Sequence, residues 1–430
     1  MREMKDSGIE WIGNIPANWK RCKIKNVVSI IGSGTTPTSS NMDYYNDEDV
    51  NWIQSGDLYK NTYIKNTSVL LSEKALNIGA LQLYYAPFIV IAMYGASVGN
   101  ISISLIDACT NQACCVIKSN ANNDLKFLFY WLSMCKTDFL GQSVGGGQPN
   151  ISQSRIKNQF YYEPSKEEQQ RIASFLDSKC SELDALSADI QKEIEILEKY
   201  KRSVITEAVT KGMNPDVEMK DSGIEWVGKI PEHWNLKKGK YLFKQQNYRG
   251  NSICLQLLSP SQKYGVIPQN LLEELTTQNV VKVSTNTDLR LFKTVHVGDF
   301  CISLRSFQGG FEYSDYEGVV SPAYQIFKAK LRNIYNGYSR YMFKDKGFID
   351  KMNSYTMTLR DGKNISFKDF GNTYLPVPPL AEQKEITGFL DSKCKEIEYV
   401  ITDKKRQLEV LDSYRKSLIY EYVTGKKEVK

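Results

Sequence analysis

Residues 4–20 read MKDSGIEWIGNIPANWK, and residues 219–235 read MKDSGIEWVGKIPEHWN; 12 of the 17 positions are identical, at an offset of 215. Three further matches recur at an offset of 214: FLDSKC at Phe175–Cys180 and Phe389–Cys394, Tyr200-Lys-Arg-Ser with Tyr414-Arg-Lys-Ser, and Asn150-Ile-Ser with Asn364-Ile-Ser. Self-similarity at one fixed period is the mark of a duplicated structural unit. The chain is therefore expected to fold as two copies of one frame, each about 214 residues long.

The copies agree at their ends and diverge between them. Residues from about 21 to 150 and from about 236 to 364 share little beyond pattern. One frame holding two different inserts points to one mechanical scaffold presenting two binding surfaces.

Each copy ends in a long stretch nearly free of Gly and Pro, from about Lys166 to Lys211 and from about Glu382 to Thr424, with Gly388 the exception. Prolines precede them (Pro164; Pro378-Pro379) and glycines follow (Gly212; Gly425), as at helix starts and ends. In the first arm Ile172, Leu176, Leu183, Leu186, Ile190, Ile194, Leu197 and Val204 fall at steps dominated by three and four. In the second, Ile386, Leu390, Ile397, Val400, Leu408, Leu411 and Leu418 keep the same register, with Lys404 in the place of Ile190. At about 1.5 Å per residue each helix is roughly 65 Å long. A single apolar stripe of that length needs a partner helix, and the sister arm is the simplest one. Pairing is expected through Ile172, Leu183, Leu186, Ile190 and Leu197 against Ile386, Ile397, Leu408 and Leu411, and the copy structure predicts that the arms run antiparallel. The fold class is then α+β: mixed α/β domains at 1–164 and 214–378, and paired helices at 165–213 and 379–430.

Charge separates the parts. The full chain carries +6, the first arm −2 and the second arm, to Lys426, zero, so the rest holds +8. A positive excess in the inserts suits a phosphate-bearing partner. The inserts read as buried strands joined by Gly-rich turns. Strands are expected at Phe88–Met93, Ala113–Lys118, Phe300–Leu304 and Ala323–Phe327. The intervening loops, Tyr94-Gly-Ala-Ser-Val-Gly, Gly145-Gly-Gly-Gln-Pro, Arg305-Ser-Phe-Gln-Gly-Gly and Arg360-Asp-Gly-Lys, hold the candidate DNA-contacting residues Tyr94, Ser97, Gln148, Asn150, Arg305, Gln308, Arg360 and Lys363. Their amide, hydroxyl and guanidinium groups suit base edges. Trp11, Trp19, Trp226 and Trp234 sit in the repeated segment and read as frame packing rather than stacking platforms.

Catalytic patterns are missing. The chain has no Walker A loop, no Asn-Pro-Pro-Tyr methyltransferase tetrad, and no Pro-Asp spaced from a Glu-x-Lys as a nuclease needs. Two histidines leave little for a His-based triad or metal centre, so no metal site is expected. Nine cysteines without CxxC spacing read as reduced thiols, and Cys114-Cys115 as core packing. No membrane span or leader is evident, so a cytoplasmic, non-catalytic protein is expected.

The combination resembles the specificity subunit of Type I restriction-modification systems. The carriers are Asp6-Ser-Gly-Ile-Glu-Trp with Trp19 and its copy at Asp221–Trp234; Pro378-Pro-Leu-Ala-Glu-Gln-Lys-Glu-Ile with Phe389-Leu-Asp; Pro164-Ser-Lys-Glu-Glu-Gln-Gln-Arg-Ile; and Thr36-Pro-Thr with Tyr44-Tyr and Trp52-Ile-Gln-Ser-Gly-Asp57. The resemblance implies two target-recognition domains, each reading one half of a split, asymmetric site in double-stranded DNA, with the paired helices as spacer. It also implies methyltransferase (modification) subunits and restriction translocase-nuclease subunits as partners, which would carry S-adenosylmethionine, ATP and Mg2+; no cofactor is expected on this chain itself. Competing readings are a specificity chain for a fused methyltransferase-nuclease, a stand-alone nuclease, and a coiled-coil structural protein.

Overall fold

A computed structural model describes residues 2–45, 49–59, 62–77, 81–141, 150–249, 256–276, 288–302, 310–330, 334–355 and 365–429. The compact units cut across chain order. One is built from Met1–Ile190 with Arg406–Lys430, the other from Gln191–Lys405. Each holds one insert, the first part of one arm, the last part of the other, and a shared type of frame.

The arms are helices at Lys166–Lys211 and Leu380–Val423. Gly212 and Gly425 follow them with φ of 76° and 68°, the left-handed cap that favours glycine. Within the first unit, Ile172, Leu176 and Cys180 share a core with Leu418, Ile419 and Val423. The Phe175 and Tyr422 rings lie 4.4 Å apart, and Arg415 reaches Asp184 at 2.7 Å. As the first arm advances from 175 to 184, its partner retreats from 422 to 415, so the segments are antiparallel. In the second unit Ile205, Ala208 and Val209 pack with Ile386, Leu390 and Cys394. There Glu193 pairs with Lys404 at 2.6 Å and Lys201 with Glu398, again antiparallel. Such exposed ion pairs contribute about 0–1 kcal/mol each, so apolar burial holds the arms and the charges select register.

Ile172, Ile190, Ile386 and Ile397 are buried, and Leu183, Leu197, Leu408 and Leu411 half-buried. Leu186, expected on the pairing face, is 47 % exposed. At about 100° per residue it lies roughly 60° around the helix from Leu183, at the edge of the stripe.

In the first unit a five-stranded sheet has the order Val28–Ser33, Cys114–Ser119, Phe88–Ala92, Ile101–Ser104, Tyr63–Ile64, antiparallel except for the last pair. Every residue of Phe88–Ala92 is buried. Side chains alternate across a strand, so Ile89 and Ile91 enter the core beneath the helix Leu125–Met134, while Phe88 and Val90 enter a second core with Ile53 and Leu58. Cys115 and Cys114 split in the same way.

The second unit has a four-stranded antiparallel sheet in the order Phe243–Gln246, Gln325–Ala329, Phe300–Ile302, Phe311–Tyr313. One face carries Phe243, Phe300, Phe311 and Phe327 against Phe343, Phe348 and Phe370; the other carries Cys301 and Ile326 against Leu258, Val266 and Val320. Of the four expected strands, each is present within the described residues.

The frame is the same in both. The repeated segment forms a hairpin, Met4–Asp6 with Asn14–Pro16 and Met219–Asp221 with Lys229–Pro231. Trp19 and Trp234 are fully buried. Each donates its indole N–H to a carboxylate in the first turn of an arm: Glu168 at 3.2 Å and Glu382 at 3.0 Å. Trp11 and Trp226 are half-buried. The C-terminal Gly425 lies against Pro16 and Trp19, as Gly212 lies against Pro231 and Trp234. The repeated aspartate of FLDSKC also has a matching task. Asp177 accepts the Tyr130 hydroxyl at 2.7 Å and Asp391 that of Tyr341 at 2.6 Å. Burial and then the carboxylate hold both phenols above their ordinary range. Among the described residues no helix is long and apolar enough to cross a membrane.

Candidate nucleic-acid interface

In each unit several strand ends and strand starts meet at one end of the sheet. In the first unit Ser33 pairs with Cys115, Cys114 with Ala92 and Ile91 with Ile101. The ends of two strands and the starts of two others therefore share an edge. The turn 93–100 caps it: the Gly99 N–H donates to the Ala92 carbonyl at 2.8 Å, and Gly95 and Gly99 take φ of 79° and 75°. Tyr94 is 44 % exposed on this turn. Ser97, expected among the contacting groups, is only 7 % exposed, because the same turn draws it inward. Asn150 is exposed, and the next residue, Ile151, donates its N–H to the Met93 carbonyl at 2.9 Å. Tyr94 and Asn150 are thus brought to one place.

Two polar groups at this edge, Thr36 of the Thr-Pro-Thr segment and Gln112, were not among the expected contacts. Thr36 donates to the Gln112 carboxamide oxygen at 2.5 Å, and both residues are exposed. They meet because Gly34 has no side chain; a Cβ there would lie 1.7 Å from the Thr110 carbonyl oxygen. Tyr45 steadies the loop by donating to the Pro37 carbonyl at 3.0 Å. Asp57 accepts the N–H groups of Gln54 and Ser68 at 2.8 and 3.2 Å. The signal for Gln112 was its place two residues before a buried strand; its contact across 76 residues was not readable.

In the second unit Gln246 pairs with Ile326 and Ile302 with both Gln325 and Phe311, which sets the equivalent edge. Arg305, Gln308, Arg360 and Lys363 lie outside the described residues, as does Gln148 in the first copy. Their described flanks converge. Gln325, opposite Ile302, donates to the Ile365 carbonyl at 3.0 Å and accepts from the Phe367 N–H at 2.8 Å. Gln325 was also missed, and it is a positioning residue for the chain entering from 364.

This edge offers hydrogen-bonding groups on a rigid frame. Burial pushes the Cys114 and Cys115 thiols up to about 12, which leaves them protonated and unreactive at neutral pH. His233 and His296 are exposed and each lies 2.8 Å from a glutamate, Glu382 and Glu317. Among the described residues no group of three or more His, Cys, Asp or Glu can hold a metal ion.

The model of one protein family, described as Type I restriction modification DNA specificity domain, matches residues 16–196 and again 227–409. The chain belongs to this family. Its two specificity domains are the two copies of the repeat, each match covering an insert and much of an arm. Two similar chains come from Methanocaldococcus jannaschii. One, named type I restriction enzyme MjaVIII specificity subunit, is 26 % identical over 329 residues, 73 % of this chain and 72 % of its own. Another, carried under the name type I restriction enzyme MjaX specificity subunit, is 28 % identical over 293 residues, 66 % of this chain and 63 % of that one. A solved chain from a study of complex assembly and conformational transition of the type I R-M system shares the fold, with a TM-score of 0.66 at 14 % identity, over 95 % of this chain and 98 % of that one. Specificity subunits of this family are DNA-recognition components rather than catalysts.

Proposed function

We propose that this specificity subunit reads a bipartite, asymmetric site in double-stranded DNA, one half with the insert of each copy. The observation that carries the reading is the shared sheet edge: one frame, repeated, brings the described flanks of two unlike sets of polar segments to corresponding strand ends. Base edges in the major groove are distinguished by such donors and acceptors. Tyr94 and Asn150 with Thr36 and Gln112 are assigned to one half-site, and Arg305, Gln308, Arg360 and Lys363 to the other. The recognition domains are taken as 1–164 and 214–378, and the arms 165–213 and 379–430 as the spacer that fixes the distance between half-sites.

Methyltransferase subunits dock on the arms and frame, and translocase-nuclease subunits join them; S-adenosylmethionine, ATP and Mg2+ act there. Half-sites about 34–36 Å apart, one turn of DNA, suit two domains on a rigid spacer. A hydroxyl-radical footprint of the complex with methyltransferase on a target duplex tests this. Two protected stretches flanking an unprotected gap are expected; one continuous stretch, or none, would refute the reading.

A further inference from the structure

Where each insert joins the frame, two short strands lie side by side: Lys20–Lys23 with Phe160–Glu163, and Asn235–Lys238 with Tyr374–Val377. A one-turn helix follows each first strand, Ile24–Val27 and Gly239–Leu242. This corner is unusually basic. Lys20, Arg21, Lys23 and Lys25 fall within six residues, and Lys237, Lys238, Lys240 and Lys244 within eight, with no acidic residue in either run. Among the described residues none of these eight cations forms an ion pair, whereas arm lysines such as Lys179, Lys393 and Lys416 each have a carboxylate three or four residues away.

Lys20 has Glu163 opposite it in the ladder, where Glu163 accepts a hydrogen bond from Asn123, but at Lys23 and Lys238 the facing residue is a ring rather than a carboxylate. Lys23 is directly opposite Phe160 in the ladder, and Lys238 directly opposite Tyr374. The Lys23 ammonium lies 6.0 Å and the Arg21 guanidinium 4.0 Å from the Phe160 ring; the Lys238 ammonium lies 5.1 Å from the Tyr374 ring. Such rings steady a cation without neutralising it. Lys23 and Lys25 match Lys238 and Lys240 at an offset of 215, although the inserts beside them have diverged. Arg21 has Leu236 as its counterpart, so the match is confined to the two lysine pairs.

Uncompensated like charges repel within a folded domain and favour an anionic partner. The corner is also close to the base-reading edge. The helix Gln153–Asn158 starts two residues after Ile151 and ends at Asn158, whose carboxamide oxygen lies 3.5 Å from the Lys23 ammonium. Six helical residues span about 9 Å. The rims of a major groove about 12 Å wide carry the phosphates, so a loop in the groove leaves the corner within reach of a rim. In the second unit the helix Phe367–Asn372 makes the same link from Ile365 to Gly239, whose N–H donates to the Thr373 carbonyl at 2.9 Å.

We propose that these two basic corners, centred on Lys23/Lys25 and Lys238/Lys240, bind the phosphate backbone of double-stranded DNA and position each recognition domain without reading sequence. The proposal rests on the DNA-recognition reading above. The test is the salt dependence of full-chain binding to a mixed-sequence duplex, followed by fluorescence anisotropy.

Replacing all four lysines with glutamine is expected to reduce the slope of log affinity against log salt by about 1 per lysine in contact. Over a fourfold rise in salt, the affinity lost by the parent chain should exceed that lost by the variant on the order of a hundredfold. Arginine at the four positions should restore the slope, and Lys395→Gln with Lys405→Gln on the exposed arm should leave it unchanged. Parent-like slopes in the glutamine variant, with DNA binding intact, would overturn the corner assignment alone. A parent chain that binds no duplex would overturn the recognition reading and the corners with it.

Discussion

A chain whose residues Leu236–Leu375 are replaced by the insert of another specificity subunit will change one half of its methylation target and keep the other. Leu236 pairs with Pro376 and Lys237 with Leu375, so the insert leaves and re-enters the frame side by side. Exchange at that point leaves the hairpin Met219–Asp221 with Lys229–Pro231, the buried Trp234 and the arms in place. Each mismatched base pair costs a recognition protein about 1–3 kcal/mol. About three mismatches in the exchanged half should therefore reduce modification of the original site by a hundredfold or more. Competition between parent and hybrid half-sites measures this. Altered preference in both halves would show that the inserts read together, and the modular reading would fail.

A half-length chain ending at Gly212 is expected to form a symmetric dimer and, with methyltransferase present, to modify a palindromic split site. In the full chain the first unit draws Leu418, Ile419 and Val423 from the second arm, and Gly425 against Pro16 and Trp19. The truncated chain has Val204, Ile205, Val209 and Gly212 at the matching positions, 214 or 213 residues earlier. A second copy, running antiparallel, can put these in the vacated places, which is a two-fold interface. Burying each such side chain is worth roughly 1.5–3 kcal/mol, before the cost of association. Light scattering reads the mass. A folded monomer at micromolar concentration would show that the stripe is covered without a sister helix.

The parts of the structure that the sequence disclosed are those fixed by local rules. The arms needed only apolar spacing, a proline before and a glycine after, and the helices at Lys166–Lys211 and Leu380–Val423 end where those signals lie. The repeat disclosed the frame because Trp19 and Trp234, Gly212 and Gly425, do the same work in each copy. What stayed hidden depends on distant partners. Phe88–Ala92 reads as a uniform apolar run, yet its residues divide between two cores. Asp177 and Asp391 were visible as a repeat, but their hydroxyl partners, Tyr130 and Tyr341, come from the diverged inserts. Ser97 looked available in a Gly-rich loop, and its turn buries it. Thr36 and Gln112 meet because two strand ends coincide and Gly34 lets the chains approach. Leu186 fits the three-and-four spacing and still falls off the covered face, since spacing locates a stripe but not its width.

On the proposed function, two unlike inserts on one repeated frame read two unlike half-sites. Sequencing the positions methylated by the assembled complex, across a random-sequence library, tests it most directly. The expected result is one motif with two different short defined blocks separated by a gap of fixed length and no base preference. A single contiguous block, two identical blocks, or a gap that varies between modified sites would contradict it.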